Sequence, residues 1–558
     1  SFIVKGKEYS SKVINVTFKY AVKEFNKTAK NTYVRNGYNL RDYSLENGYA
    51  TDIDEDGTEI LVAIKIDEPF YNSIDVTLLP SFFSCIYDKD NMTYTYKLTG
   101  LIKTVKSAKE LRRWCYENGF ICNGINYCRF KRSSGSARVG KCLFIDKRLY
   151  PAMHKSEQCG LDVQNGDALD IAAFEAYISL PTSSIIDTID IKPENFLVID
   201  DWESVFCEEA VCTDLGEDGW LKTEEKEMKI SNSIWDGQSL IDTSLMGKYS
   251  SKGMLLLRNK FFKSCCFNTN IQKFFKDNNI TDVSQLKGQT IATDIKDIKI
   301  ITTPSSIKYF KFGKLDDWFK NIYPYFGIVK YDKNTHYFNG RMVQAHYQLL
   351  NTLQLSKDEL QEIVQDGLDY LNLLNTDVDV MRYHLKFKED DVFETESDNV
   401  MKDKNEIVYK LLNYDCDFHK TKIYYDFKKD LCRSYIKNIK KGHVLVDGTY
   451  ATLFGNPYEM LLQSIGKFNG DSVLPVGTVH NTRYEYDTDI LGSRSPHVTI
   501  GNILVTKNIA CPIIDEYFNL TSNIICINSI NENILERLSG SDFDSDSLLI
   551  TNNKILIN

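Results

Sequence analysis

The chain begins and ends with segments in which apolar and polar residues alternate. Near the amino end the alternating runs are KVINVTFKYAV (residues 12–22), TEILVAIKI (58–66) and SIDVTLL (73–79). A period of two is typical of strands that bury one face, so we predict a β-rich region of unknown role over residues 1–110. Short runs of the same kind fill residues 436–558 and predict a compact barrel there.

A helical pattern separates two strand-rich parts of the chain. Residues 229–330 consist of strand-like runs, whereas residues 341–375 repeat apolar side chains with a period of about 3.6. Ser356, with Glu359 three residues later, predicts the N-cap of a helix in this stretch. The fold class that follows is α+β, with several domains.

Composition supports a folded protein without a membrane anchor. Of the 558 residues 42% are hydrophobic and 26% are charged, and no apolar run is long enough to cross a bilayer. The first residues lack the apolar stretch of a signal peptide, and the 14 cysteines are scattered. We therefore expect a cytoplasmic location, reduced thiols and no membrane partner.

Two basic segments stand out against the net charge of −10. One is the Ser/Gly-rich loop at residues 129–141; the other, residues 419–441, has eight lysines and arginines interleaved with Tyr and Phe. Cations beside aromatic rings suit nucleic acid, because they neutralise phosphates while the rings stack on bases. A solvated charged surface is the alternative for both segments.

The run LSGSDFDSDSLLI places three carboxylates, Asp542, Asp544 and Asp546, at alternate positions. Like charges so close together favour a bound cation, and oxygen ligands suit Mg²⁺ or Ca²⁺. A calcium loop of the EF-hand type needs Gly and Glu where this chain has Ser547 and Asn553. The remaining interpretations are a Mg²⁺ site for nucleotidyl transfer and an acidic surface turn without a metal.

This loop resembles the catalytic D-[F/L]-D-G-D loop of the two-barrel RNA polymerases, although Ser545 replaces the glycine. The likeness is greatest to the RNA-silencing polymerases and to single-chain phage and prophage enzymes. In the silencing group the loop follows N-E-x-S-G-[GS], and ENILERLSGSDFDSD (residues 532–546) is similar. About 45 residues upstream, GSRSPHVTIGNILV resembles the R-x-P-x-L-H-x-G segment of that group.

Weaker similarities continue upstream in the same order, so that the resemblance covers residues 129–558. The segments that carry it are RFKRSSGSARVGKCLF, LLLRNKFFKS, TTPSSIKYFKF, RMVQAHYQLLNTLQLSKDEL and GHVLVDGTYATLFGNPYEML. The resemblance implies two double-psi β-barrels. The predicted order of domains is a β-rich region (1–110), an α/β region with the basic loop (111–228), a first barrel (229–330), a helical connector with a basic segment (331–435) and a second, catalytic barrel (436–558).

The resemblance also implies roles for individual residues. The cofactor would be two Mg²⁺ ions, held by Asp542, Asp544 and Asp546. Two lysines of the first barrel are the catalytic candidates that neutralise developing charge: Lys263 and Lys308. Three further cations are the candidates for contact with nucleotide or RNA: Arg494, Arg258 and Lys311.

The function that follows is a template-directed RNA polymerase, a nucleotidyltransferase that uses nucleoside triphosphates and binds a template and its RNA product. A composition rich in Asn, Lys, Tyr and Ile is typical of AT-rich genomes. It favours a DNA template and a phage or prophage enzyme, located in the cytoplasm of a bacterial host or with the virion. Similarity to the silencing group favours an RNA template as the alternative.

The chain ends twelve residues after Asp546, before the bridge helix and trigger loop that follow the catalytic barrel in this superfamily. We therefore expect a further polypeptide or C-terminal segment to supply those elements. Two other functions stay open. One is a catalytically incomplete subunit or nucleic-acid-binding scaffold of a split polymerase, and the other is an unrelated module that binds divalent ions.

Overall fold

A computed structural model describes most of the chain beyond residue 107 and separate strands before it. The described residues are 2–4, 7–9, 13–18, 62–66, 74–77, 83–88, 90, 93–98, 101–105, 108–122, 125–131, 141–164, 166–183, 185–334, 337–390, 404–498 and 500–558. The chain divides into two compact units. The first unit is Ser1–Thr188, Arg258–Phe262 and Lys308–Val329, and the second is Ile189–Leu257, Lys263–Ile307 and Lys330–Asn558.

The strands are numbered in chain order. The first fifteen are β1 (Phe2–Val4), β2 (Lys7–Tyr9), β3 (Val13–Phe18), β4 (Val62–Ile66), β5 (Ile74–Thr77), β6 (Phe83–Asp88), β7 (Thr93–Leu98), β8 (Leu101–Val105), β9 (Phe120–Cys122), β10 (Ile125–Lys131), β11 (Lys141–Asp146), β12 (Asp187–Asp190), β13 (Phe196–Val198), β14 (Glu203–Leu215) and β15 (Leu221–Ser233). The others are β16 (Gln238–Asp242), β17 (Met254–Asn259), β18 (Phe262–Thr269), β19 (Ile300–Thr302), β20 (Tyr325–Tyr331), β21 (Met342–Gln344), β22 (Leu445–Gly455), β23 (Thr478–His480), β24 (Thr488–Ser493), β25 (Ile503–Asn508), β26 (Ile524–Ile527) and β27 (Ser547–Thr551).

The helices are short except in one stretch of the second unit. They are α1 (Ala108–Asn118), α2 (Tyr150–Glu157), α3 (Ile171–Ile178), α4 (Ile271–Asp277), α5 (Leu315–Asn321), α6 (Tyr347–Thr352), α7 (Lys357–Thr376), α8 (Val378–Asp390), α9 (Lys404–Tyr414), α10 (Lys422–Lys440), α11 (Pro457–Ser464), α12 (Pro512–Tyr517), α13 (Ile534–Arg537) and α14 (Lys554–Ile557). None of these described helices is both long and apolar enough to cross a membrane. The fold class expected from the sequence, α+β with several domains, is confirmed.

The largest sheet of the first unit is antiparallel and has six strands in the order β5, β4, β3, β11, β10 and β9. The alternating runs near the amino end contain β3, β4 and β5, as their period predicts. Lys131 of the basic loop is buried, and its ammonium lies 2.7 Å from the carboxylate of Glu157. This lysine therefore neutralises a buried acid, while residues 132–140 of the loop lie outside the described residues.

Six strands of the second unit form a closed barrel. Around the barrel the order is β22, β26, β23, β25, β24 and β27, and β27 pairs again with β22 to close it. The pairs β22–β26 and β23–β25 are parallel, and the other pairs are antiparallel. Apolar side chains fill the interior, among them Leu453, Val479, Ile525 and Ile550.

A half-barrel packs against this closed barrel within the second unit. Its strands β13, β19, β16 and β18 are neighbours in that order, with β13–β19 and β16–β18 parallel and β19–β16 antiparallel. All residues of β16 and β19 are buried. The first of the two predicted barrels is thus a half-barrel rather than a closed one.

Buried polar bonds join the half-barrel to the closed barrel. The amide of Gln238 donates to the carbonyl of Gly455 at 2.9 Å and accepts from the Gly455 N–H, also at 2.9 Å. Beside this pair the ring of Phe267 stacks on Phe454, with ring centroids 3.8 Å apart. One glutamine therefore satisfies both backbone groups of a residue at the end of β22, where water is excluded.

Two further segments complete the second unit. Strands β14 and β15 form a long antiparallel hairpin whose register runs from Glu203–Ser233 to Leu215–Leu221. The domain boundary predicted after residue 228 lies inside β15, since the polar residues there belong to a ribbon that exposes both faces. Helices α6 to α10 lie between β21 and β22, and the predicted cap of α7 is confirmed, because the Glu359 N–H donates to Ser356 Oγ at 3.3 Å.

Replacement of Gln238 by Ala should destabilise the second unit strongly. It leaves the buried N–H and C=O of Gly455 without partners, and each such loss costs about 1–3 kcal/mol. We expect the free energy of unfolding in urea to fall by about 2–5 kcal/mol. The matched control is Gln361→Ala on the exposed face of α7, with an expected change below about 0.5 kcal/mol. Equal effects of the two substitutions would contradict the role of Gln238.

Candidate active site

The three aspartates lie in the loop that leads from α13 into β27. Phe543 points the other way and is buried in the barrel core, against Gly455, where any side chain would overlap its ring. Alternation therefore anchors the loop through Phe543 and leaves the aspartates on the outer side. The carbonyl of Asp546 accepts from the Leu453 N–H at 2.9 Å, which ties the end of the loop to β22.

Hydrogen bonds inside the loop hold the three carboxylates near one another. The N–H of Asp544 donates to Asp542 Oδ1 at 3.1 Å, and the N–H of Asp542 donates to Asp546 Oδ2 at 3.1 Å. Ser545 has a φ of +105°, in the region that favours glycine. The residue that departs from the D-[F/L]-D-G-D motif is thus held in a backbone conformation that is strained for a non-glycine residue.

Two cations from different elements pair with two of the aspartates. Lys263, on β18 of the half-barrel, forms an ion pair with the carboxylate of Asp544. Arg494, which directly follows β24, donates to Asp546 Oδ2 at 2.6 Å. The other terminal nitrogen of Arg494, Nη1, donates to the carbonyl of Leu538 at 2.8 Å. Arg494 is therefore held in place by the loop as well as by its charge.

Asp542 differs from its neighbours because no cation in the described part of the second unit pairs with it directly. Burial is the main reason why the pKa of the Asp542 carboxyl is raised to about 7. The negative charges of Asp544 and Asp546 act on this pKa in the same direction. Like charges in a site shielded from water favour the protonated acid. A cation between these carboxylates would remove part of the cause of the shift.

The donor set fits a magnesium ion in its chemistry. Three carboxylates offer the hard oxygen ligands that Mg²⁺ prefers, and the pKa of Asp542 is raised by burial and, to a smaller extent, by the negative charges of Asp544 and Asp546. Among the residues that the structure describes, no three acidic, His or Cys side chains already converge as a ligand group. Lys263 and Arg494 instead hold Asp544 and Asp546 as ion pairs.

The half-barrel contributes contacts that sequence reasoning missed. Gly237 has a φ of +78°, and a Cβ there would lie 2.5 Å from the Cβ of Asp544. The carbonyl of Asp236 accepts from the Phe543 N–H at 2.9 Å. Ser305 Oγ accepts from the Gly237 N–H at 3.1 Å. The sequence signal is the Asp-Gly pair between two strand-like runs, a pattern that is equally typical of an ordinary turn.

The predicted site residues fall into two groups. The second unit brings together five of them: Asp542, Asp544, Asp546, Lys263 and Arg494. The other three belong to the first unit: Arg258, Lys308 and Lys311. There Lys311 donates to the Tyr177 hydroxyl at 3.0 Å, and the Lys308 N–H donates to the Phe261 carbonyl at 2.8 Å. Their roles stay predictions.

Comparison with known proteins supports the fold. No protein-family model matches the sequence, and no curated protein matches it. Among the solved structures to which the chain is similar is the RNA dependent RNA polymerase QDE-1 from Thielavia terrestris, with a TM-score of 0.51 and 14% sequence identity. The alignment covers 80% of this chain and 46% of that polymerase chain. This chain therefore spans less than half of the length of that polymerase. The chain has the fold of the two-barrel RNA polymerases.

Replacement of Ser545 by Gly should stabilise the protein. A non-glycine residue at positive φ costs about 1–3 kcal/mol, and glycine removes this cost. Glycine also gives the unfolded chain more conformational freedom, which lowers the net stabilisation by about 0.5–1 kcal/mol. We expect the free energy of unfolding to rise by about 1 kcal/mol in urea titrations. The control Ser547→Gly, at the first residue of β27, should lower it. A loss of stability in both variants would show that Ser545 is not strained.

The raised pKa of Asp542 should make the metal-free protein less stable as pH rises. The unfolded chain releases this proton near pH 4, whereas the folded protein keeps it until about pH 7. The stabilisation that the protonated Asp542 carboxyl contributes is therefore fully present below about pH 4 and is lost as pH rises through 7. Asp542→Asn should remove this dependence and be more stable than the wild type at pH 8.

The measurement is urea unfolding with EDTA at pH 5 and pH 8. The control Asp546→Asn should instead lose stability at pH 8, since its carboxylate pairs with Arg494. A difference between Asp542→Asn and the wild type that is the same at both pH values would contradict the shifted pKa.

Proposed function

We propose that this chain is a template-directed RNA polymerase that forms phosphodiester bonds by nucleotidyl transfer. The observation that carries the proposal is the aspartate loop of the closed barrel, paired with Lys263 of the half-barrel and with Arg494. A structure with the same fold, QDE-1, is an RNA dependent RNA polymerase. Fold alone does not assign activity, so we infer the activity from the charges at the loop.

Asp542, Asp544 and Asp546 would hold Mg²⁺, which when bound lowers the pKa of the RNA 3′-hydroxyl and orients it toward the α-phosphate. The 3′-oxygen forms a bond to the α-phosphorus, the bond to pyrophosphate breaks, and the hydroxyl proton passes to solvent. The task of the loop aspartates is to fix this geometry, and a histidine base is not required.

The two cations have separate tasks in this reaction. Lys263 would neutralise the negative charge that builds up on the triphosphate, as a preorganised positive group beside the loop. Arg494 would position the loop through Asp546 and present its guanidinium to the ribose or phosphate of the nucleotide. The assignment of Lys263 is supported by its ion pair with Asp544, which leaves its ammonium at the outer side of the loop.

The template is the finer part of the proposal. The AT-rich type of composition favours DNA and a phage or prophage enzyme in a bacterial cell, whereas the enzyme with the similar fold is RNA dependent. We propose DNA as the template and RNA as the alternative. Nucleoside triphosphates, the template and the RNA product are the partners in either case.

The test is extension of a labelled RNA primer on matched DNA and RNA templates, with all four nucleoside triphosphates and Mg²⁺. Asp544→Asn should reduce extension at least about 100-fold, and Lys263→Ala about 10-fold or more, because each removes charge that acts in the transition state. The matched control Asp489→Asn, an exposed acid on β24, should keep wild-type activity.

The outcomes of the extension assay test the metal role of the loop, the scaffold alternative and the template class. Extension that survives Asp544→Asn would overturn the metal role of the loop. Absence of extension by the wild-type chain on both templates, together with normal template binding, would favour the nucleic-acid-binding scaffold instead. Extension on only one template assigns the template class.

A further inference from the structure

The basic segment at residues 419–441 folds into helix α10, and folding separates its aromatic rings from its cations. Tyr424, Phe427 and Tyr435 are buried in the core of the helical region. The rings that suggested base stacking in the sequence are therefore mostly structural. Tyr425 is the exception, because its side chain is exposed.

The exposed side of α10 carries cations at regular intervals. Lys429, Arg433, Lys437 and Lys441 are exposed and follow one another at four-residue steps, as does Tyr425 before them. Each step is about 6 Å along the helix axis, and residues four apart are neighbours on the helix surface. The result is a continuous row of positive charge that winds slowly around the helix and begins at an exposed aromatic ring.

Most of this positive charge is not neutralised within the second unit. Among the described residues, no carboxylate forms an ion pair with Lys429, Lys437 or Lys441, although the charge of Lys429 contributes to lowering the pKa of Asp426. Arg433 forms a long, exposed ion pair with Asp430 at 4.0 Å. Uncompensated like charges in a row repel each other and so favour an anionic ligand.

A groove of about 440 Å³ runs between α7 and α10, beside this row. Leu368 and Leu371 of α7 and Ile436 of α10 contribute apolar surface to it. Lys429 and Arg433 contribute its charged edge.

Amide groups of α7 complete the lining of the groove. Asn372 and Asn375 lie in it and can both donate and accept hydrogen bonds. Apolar surface, amides and a cationic edge together suit a strand whose bases are not paired, because such bases expose both their faces and their hydrogen-bonding edges.

We propose that the row Tyr425, Lys429, Arg433, Lys437 and Lys441, with the adjoining groove, binds single-stranded nucleic acid outside the aspartate loop. Phosphates lie along the cations, and a base stacks on Tyr425 and enters the groove. A duplex would keep its bases stacked and would gain only the charge contacts. The proposal deepens the proposed function and rests on it, because a polymerase must hold a template or a product strand.

The test measures binding of fluorescent 12-nucleotide RNA and DNA strands, and of the corresponding duplex, by anisotropy. The triple variant Lys429→Gln, Arg433→Gln, Lys437→Gln should bind the single strands about tenfold more weakly. The slope of log affinity against log salt should fall by about 2, since three phosphate contacts are lost. Tyr425→Ala should weaken binding of single strands more than binding of the duplex, whereas Tyr425→Phe should not.

The matched control removes the same charge elsewhere. The control triple variant changes three lysines of the acid-rich β14–β15 hairpin: Lys222→Gln, Lys226→Gln and Lys229→Gln. It should leave the affinity for nucleic acid within about twofold of the wild type. Equal loss in both triple variants, or no loss in the α10 variant, overturns the proposal. Unchanged nucleic-acid affinity with loss of binding to a polyglutamate peptide would overturn it too, and would assign the row to an acidic protein.

Failure of this proposal is distinguishable from failure of the proposed function. If the chain does not polymerise, extension is absent while the α10 variant still separates from its control in binding. If α10 does not bind the strand, extension remains sensitive to Asp544→Asn while both triple variants bind alike. Circular dichroism melts of both triple variants should match the wild type, which excludes unfolding as the cause of weaker binding.

Discussion

The candidate site depends on the buried contact between the half-barrel and the closed barrel. The side chain of Gln238 forms two hydrogen bonds with Gly455, and the Trp235 indole donates to a backbone carbonyl one residue further along, at 3.1 Å. Between these two residues of the half-barrel lies Gly237, which packs directly on Asp544. The same short segment therefore joins the two sheets and forms one wall of the aspartate loop, so the cation of β18 that pairs with Asp544 is held at a fixed place.

The charges at the loop are balanced unequally, and this follows from which element supplies each cation. Lys263 comes from β18 and reaches Asp544, while Arg494 comes from the end of β24 and reaches Asp546. Asp542 is half-buried without a direct cationic partner among the described residues, and its pKa is raised to about 7. The loop thus has two acids in ion pairs and one acid without a cationic partner in the described part of the chain, and a divalent cation there would lower the repulsion among the three carboxylates.

The helical region carries its charge on an exposed surface, without ion pairs, among the described residues, to most of its cations. In α10 the buried face uses Tyr424, Phe427 and Tyr435 for packing, so the lysines are confined to the outer face and accumulate there. A net-acidic chain thus presents a concentrated positive row on one helix. A polyanion near this helix would respond mainly to the local positive row. Salt screens the more distant charges that make the whole chain acidic.

The local elements and the identity of the acids could be predicted from the sequence. Alternation marked the strands of the barrel, and the 3.6-residue period with the Ser356–Glu359 pair marked α7. The spacing of three aspartates over residues 542–546 marked the loop. These features depend on neighbours in the chain, so a local pattern is enough to specify them.

The distant residues that complete the site became visible only in the folded chain. Lys263 and Lys308 could not be ranked from the sequence, because both candidates lie in the predicted first barrel and have the same local appearance. Folding brought Lys263 to Asp544 and placed Lys308 in the other unit. Gly237 looked like an ordinary turn until the approach of Asp544 left no room for a side chain. Such contacts join residues hundreds of positions apart, and periodicity along the chain reports only on neighbours within a helix or strand.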